Sequence, residues 1–180
     1  MQLRPLPVVD TISPEEFKHE FYDKNFPVII RDLSHQWPAY KKWNWNYFKE
    51  LVGDKQVPLY NNVKSDAYTP INKADDYKTF GEYIDMISQG PAGWRIFLFN
   101  IFDHAPQLIN DFTWPEHMMK GFVKKYPMLF TGGASSITHM HFDIDLSIFY
   151  IHSLLAEKEF YYFPLKNNIS STASLMKFYN

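Results

Sequence analysis

The chain has 180 residues, of which 46% are hydrophobic and 18% aromatic, and a formal charge of −2. That is enough apolar mass for one folded domain with its own core, which excludes a disordered chain. The near-neutral charge, with no long basic run, argues against a surface that grips nucleic acid through its phosphates.

There is no cysteine. Disulfides and thiolate metal sites are therefore excluded, and any metal must take imidazole and oxygen ligands. The N-terminal stretch MQLRPLPVVD has no apolar run of signal-peptide length, and nowhere do 18 apolar residues occur together. The sequence reads as soluble and cytoplasmic, with no membrane partner.

In chain order, Ser13-Pro14-Glu15-Glu16 predicts a helix start, with serine as N-cap, proline at the first helical position and Glu16 closing a capping box. This helix is expected to run to about Asp23 and to turn Phe17 and Phe21 inward. Phe26-Pro27-Val28-Ile29-Ile30 reads as a buried strand. A second helix is expected from about Trp45 to Val52, stopped by Gly53. Val57 to Tyr60 predicts a short strand. A third helix fits Thr79 to Ser88, with Thr79 as cap, Glu82 three residues on, and Phe80, Tyr83, Ile84 and Ile87 as its apolar face.

Trp94 to Phe102, WRIFLFNIF, is apolar and aromatic enough for a strand buried on both faces. Short helices are expected at Pro106 to Asn110 and Pro115 to Lys125. From Met128 onward, Met128 to Phe130, Ser136 to Asp143, Ser147 to Leu155 and Glu159 to Phe163 are closely spaced strand candidates. Helices thus precede an antiparallel sheet. The tail from Asn167 to Ser174 is polar and turn-prone.

Within the strand candidate Ser136 to Asp143 lies Thr138-His139-Met140-His141-Phe142-Asp143. Strand side chains alternate faces, so His139, His141 and Asp143 share one side. Residues i and i+4 of a strand lie about 13 Å apart at roughly 3.3 Å per residue, too far for ligand bonds of about 2 Å to one ion. Neighbours at i and i+2, about 6.6 Å apart, reach a common ion. The stretch therefore offers two ligands, and a third must come from elsewhere. The alternative is plain: a strand histidine is commonly a surface or hydrogen-bonded residue, and an HxD triplet arises by chance in many chains.

Met128 to Leu165, MLFTGGASSITHMHFDIDLSIFYIHSLLAEKEFYYFPL, resembles the core of the cupin-like, JmjC-related 2-oxoglutarate oxygenases. That core has a Gly-Gly-rich opening, a threonine three residues before the first histidine, the HxD pair, and a lysine on the following strand ahead of Phe-Pro. Phe26 to Trp43, FPVIIRDLSHQWPAYKKW, resembles the family's opening segment. The resemblance implies an α+β fold, with N-terminal helices and short strands packed on a partial cupin-like double-stranded β-helix jelly roll. It implies a single domain over 1–180: a helix-rich part at 1–127, the start of the β-barrel core at 128–165, and an atypical tail at 166–180.

Carried over residue by residue, the resemblance makes His141 and Asp143 the first two Fe(II) ligands. Thr138 and Lys158 become the residues that hold the C5 carboxylate of 2-oxoglutarate, although Lys158 also reads as a solvated turn lysine and Thr138 as an ordinary strand threonine. His139 becomes a neighbour of the metal site and not a ligand.

The family's distal histidine has no counterpart after Lys158. His152 is the last histidine of the sequence and the weak candidate for the third ligand. That gap implies a truncated or degenerate relative in which both Fe(II) and 2-oxoglutarate binding are in doubt. Two readings therefore stay open: an Fe(II)/2-oxoglutarate-dependent dioxygenase of the hydroxylase type, or a non-catalytic cupin-like binding or interaction module. The substrate is a protein side chain or a small molecule, and an open sheet edge invites a homodimer. His19, His35, His104 and His117 read as surface residues.

Overall fold

The computed structural model describes residues 4–61, 73–97, 99–118, 127–138, 158–162 and 174–178. In chain order its elements begin with β1 (Arg4–Pro5), β2 (Val8–Val9), α1 (Pro14–Glu16) running into a π-helical turn (Phe17–Tyr22), and β3 (Ile29–Ile30). Next come α2 (Pro38–Lys42), α3 (Trp45–Val52), β4 (Gln56–Asn61), β5 (Asp76–Thr79), α4 (Phe80–Ser88) and β6 (Trp94–Ile96). They end with α5 (Ile101–His104), a 3₁₀ turn (Pro106–Asp111), β7 (Thr131–Gly132), β8 (Lys158–Tyr162) and β9 (Ser174–Phe178). The fold is mixed α and β, with helices and strands interleaved rather than in two successive blocks.

The described residues fall into two compact units. The first draws on Met1–Lys41, Asp111–Lys124 and Tyr150–Asn180. In it β2 and β3 pair in parallel, Val8 opposite Ile29 and Val9 opposite Ile30. A parallel pair needs a crossover connection, and α1 with its π-helical extension provides it. Ser13 caps α1 by accepting from the Glu16 amide at 3.1 Å, and Pro14 follows it as expected. Phe17 and Phe21 are half-buried, not the core anchors the pattern predicts, and the strand at 26–30 is reduced to two half-buried residues. Trp37 packs on Phe112, and Phe112 on Trp114, at ring separations of 5.8 and 5.2 Å.

The same unit holds a three-stranded sheet in the order β1-β9-β8. Strand β9 runs antiparallel to β8 and parallel to β1, with Ser174 opposite both Tyr162 and Arg4. The tail is therefore not wholly irregular. Ser174-Leu175-Met176-Lys177-Phe178 completes a sheet whose partners are distant in sequence, and a local polarity pattern does not reveal such pairing.

The second unit draws on Lys42–Asn110 and Lys125–Phe149 and contains a four-stranded antiparallel sheet in the order β5-β4-β6-β7. Helices α3 and α4 pack beside it. Phe48 and Val52 of α3, Val57 and Leu59 of β4, and Phe80, Tyr83 and Ile84 of α4 are all at most 1% exposed. Both helices begin as their sequences predict. Asn44 caps α3, its side-chain oxygen accepting from the Tyr47 amide at 3.0 Å. Thr79 and Glu82 form a complete capping box on α4. Gly53 ends α3 in ordinary right-handed backbone, not in the left-handed conformation usual for a terminal glycine. Its carbonyl accepts from the Gly81 amide at 2.9 Å, so what Gly53 and Gly81 provide is close approach between the end of one helix and the start of the next.

The expected nine-residue strand at Trp94 to Phe102 is cut short. Strand β6 stops at Ile96, and the Asn100 side chain caps α5 by accepting from the Phe102 amide at 3.2 Å. One polar residue with cap chemistry starts a helix inside an apolar run. The 3₁₀ turn at Pro106–Asp111 lies where a short helix is expected. Turns occupy Glu116 to Met118, and the rest of the helix expected at Pro115 to Lys125 lies outside the described residues. Met128 to Phe130 is irregular, and β7 begins one residue later. The strand candidate at Ser147 to Leu155 lies outside the described residues, while β8 covers most of the one at Glu159 to Phe163.

Candidate functional site

Strand β6 is central in its sheet, between β4 and β7. Arg95, its middle residue, stands opposite Tyr60 on β4 and Gly132 on β7. Residues directly opposite in an antiparallel pair share a face. Gly132 has no side chain on that face of β7, and the Ser136 side chain fills the space there beside the half-buried Arg95.

The chain after β7 folds back towards β6. The Gly133 amide donates to the Trp94 carbonyl at 3.1 Å, and the Ala92 amide to the Ala134 carbonyl at 3.0 Å. The Ser136 amide closes a turn on the Gly133 carbonyl at 2.9 Å, and Ser135 takes up left-handed backbone with φ of 68°. Gly133 has no room for a side chain, since a Cβ there would lie 2.6 Å from the Ala92 carbonyl oxygen. The Gly-Gly opening thus has a physical role: it lets residues 131–138 curl tightly against β6.

From underneath, the Tyr83 hydroxyl lies 3.2 Å from both the Trp94 and the Thr131 carbonyl oxygens and donates between them. Burial pushes the Tyr83 phenol well above the usual tyrosine range. Tyr60 is also raised, first by burial and then by the nearby Tyr77 and Asp75; its ring meets Phe97 edge-on at 5.9 Å.

The turn delivers Thr138 to Arg95. Arg95 Nη1 donates to the Ile137 carbonyl at 3.0 Å and to Thr138 Oγ1 at 2.8 Å. Thr138 is exposed. Arg95 Nε is buried and meets no hydrogen-bond partner among the described residues. A threonine hydroxyl has one donor and two acceptor positions. Because one acceptor position is taken by a guanidinium, the hydroxyl proton is left to donate outward. An exposed O–H donor backed by a fixed positive charge suits a carboxylate.

Of the other residues singled out from sequence, Lys158 opens β8, opposite Phe178. It belongs to the first unit and Thr138 to the second. His139, His141, Asp143 and His152 lie outside the described residues. Among the described residues no three metal-ligating side chains come together. His19, His35, His104 and His117 are exposed as expected. His19 and His35 sit beside Asp23 and Asp32 at 3.4 and 3.3 Å, and His104 stacks on Phe99 at 5.0 Å.

Sequence reasoning missed Arg95. The signal was present: a single arginine inside an otherwise apolar strand is seldom buried without a polar partner.

Comparison with known proteins places these observations in a family. A sequence profile described as a cupin-like domain matches residues 14–166. The bifunctional peptidase and (3S)-lysyl hydroxylase JMJD7 of Homo sapiens is 25% identical over 168 residues, which is 84% of this chain and 52% of that protein. Lysine-specific demethylase 8 of Danio rerio is 27% identical over 124 residues, 66% of this chain and 30% of that protein. JmjC domain-containing protein E of Dictyostelium discoideum is 39% identical over 62 residues, 33% of this chain and 18% of that protein. The chain thus spans from 18% to 52% of the length of these three relatives.

Proposed function

Because the chain belongs to the cupin-like domain family and is related to JmjC proteins, we propose that it is an Fe(II)- and 2-oxoglutarate-dependent oxygenase of the hydroxylase type. The observation that carries the reading is the presentation of Thr138, which lies three positions before His141 in the sequence. Its hydroxyl is exposed and oriented by Arg95 at 2.8 Å, which suits the distal carboxylate of 2-oxoglutarate. The donor chemistry fits as well. With no cysteine in the chain, an imidazole and a carboxylate are the ligand types that suit ferrous iron with positions left open.

In this reading His141 and Asp143 hold the metal, His152 is the candidate for the third ligand, and Thr138 and Lys158 hold the cosubstrate carboxylate. Bound Fe(II) supplies O₂ activation coupled to oxidative decarboxylation of the cosubstrate. The protein's own part is to orient the cosubstrate, which Thr138 does through its O–H and Lys158 through its ammonium charge. The relatives named for lysyl hydroxylation and lysine demethylation support a protein lysine side chain as the substrate class. Closure of the strands into a double-stranded β-helix belongs to the same proposal.

The test is conversion of 2-oxoglutarate to succinate by the purified chain with Fe(II), O₂ and ascorbate. The expected result is turnover that is lost in His141→Ala. Absence of turnover in the wild-type chain under saturating Fe(II) and 2-oxoglutarate would leave a non-catalytic cupin-like module.

A further inference from the structure

We propose that Arg95 is the positioning residue for cosubstrate binding and acts through Thr138. The inference deepens the oxygenase reading and rests on it. Three observations carry it. Arg95 stands opposite Gly132, and the space a side chain on Gly132 would fill is taken by Ser136. Its Nη1 clamps two successive residues, at the Ile137 carbonyl and Thr138 Oγ1, and Thr138 lies three positions before His141. Its Nε is buried and meets no partner among the described residues, so the hydrogen bonds that fix the guanidinium there are those of Nη1.

The consequence is chemical. A threonine hydroxyl on an exposed segment rotates freely and spends part of its time donating to water or to its own backbone. Once Oγ1 accepts from a cation, rotation is restricted and the O–H points away from Arg95. The bond is also polarised by a full positive charge, and charge-assisted hydrogen bonds are roughly twice as strong as neutral ones. Thr138 thereby becomes a fixed donor for an anionic oxygen. Arg95 need not touch the cosubstrate to act: it sets the direction of the donor that does, and it holds the backbone at Ile137 so that the donor stays in place.

The experiment is calorimetric titration of 2-oxoglutarate, and separately of 2-oxovalerate, into the Mn(II)-loaded chain. 2-Oxovalerate has the same carbon chain without the distal carboxylate. Wild type, Arg95→Met, Thr138→Val and the double variant are compared. Removing a hydrogen bond to a charged partner is worth about tenfold or more in affinity. Arg95→Met is expected to weaken 2-oxoglutarate binding by about that factor, to leave Mn(II) affinity unchanged, and to leave 2-oxovalerate binding unchanged. The double variant is expected to bind no more weakly than the weaker single variant, because both substitutions remove one donor.

Should Arg95→Met fold poorly, Arg95→Lys carries the same comparison. It retains the charge but carries its donors on a flexible stem in place of the planar group whose Nη1 holds both oxygens, and it is expected to show the same selective loss. Unchanged 2-oxoglutarate affinity in these variants, equal losses for both ligands, or additive losses in the double variant would overturn this inference and leave the oxygenase reading standing. A wild-type chain that binds Mn(II) but not 2-oxoglutarate would overturn both.

Discussion

Gly133 lies so close to the Ala92 carbonyl that a Cβ on it would come within 2.6 Å of that oxygen. The obstacle is backbone, not the end of a flexible side chain, so Gly133→Ala forces the turn away from β6. Overpacking of this kind costs about 1–3 kcal/mol. The expected result is a lower melting temperature together with weaker 2-oxoglutarate binding, since the same turn carries Thr138 to Arg95. Thermal unfolding and cosubstrate titration of one variant check both halves.

Tyr83 joins α4 to β6 and β7 through a buried hydroxyl. Tyr83→Phe removes the donor and leaves its carbonyl partners short of one bond, at a cost of about 1–3 kcal/mol. The substitution also alters the alkaline limb of stability. The folded-state pKa of Tyr83 is raised by burial, so the folded chain keeps its proton where the unfolded chain has lost it. Stability is therefore full below the ordinary tyrosine value of about 10 and falls as pH rises above it. Denaturant titrations from pH 8 to 11 are expected to show a steeper decline for wild type than for Tyr83→Phe.

The capping box of α4 gives a prediction at the other end of the pH scale. The Glu82 side chain accepts from the Thr79 amide at 2.8 Å and from its hydroxyl at 2.9 Å, and these bonds hold the Glu82 carboxyl below its usual range. A lowered folded-state pKa contributes stability that is present above the unfolded value and lost as pH falls through the folded one. Glu82→Gln is expected to flatten that acid limb. Thr79→Ala removes the cap itself and is expected to cost about 1 kcal/mol at neutral pH, read as a shift in the denaturation midpoint.

How much of the fold was legible from sequence depended on the range of the interaction. Helices α3 and α4 were readable almost to the residue, because their apolar spacing is local and Thr79 acts on an amide three positions away. Strand β9 was not readable, because its pairing with Arg4 and Pro5 joins opposite ends of the chain and neither segment carries the signal alone. The length of β6 was misjudged because aromatic density outweighed Asn100, whose side chain starts a helix. At the candidate site, strand spacing limits His139, His141 and Asp143 to two ligands, and only the family resemblance picks out His141 and Asp143. The support for Thr138 was hidden, since it comes from Arg95, 43 positions away. A lone charge in an apolar run announces that a partner exists but not where it lies.

Under the proposed function His141 and Asp143 hold a metal, and Thr138 and Lys158 each bind the cosubstrate carboxylate. The most direct test is calorimetric titration of the purified chain with Mn(II), an O₂-inert substitute for Fe(II), followed by 2-oxoglutarate. The account predicts metal binding that is abolished by His141→Ala and that strengthens 2-oxoglutarate binding, with the cosubstrate affinity reduced in both Thr138→Val and Lys158→Met. Failure of the wild-type chain to bind either ligand, or metal binding indifferent to His141→Ala, would contradict it.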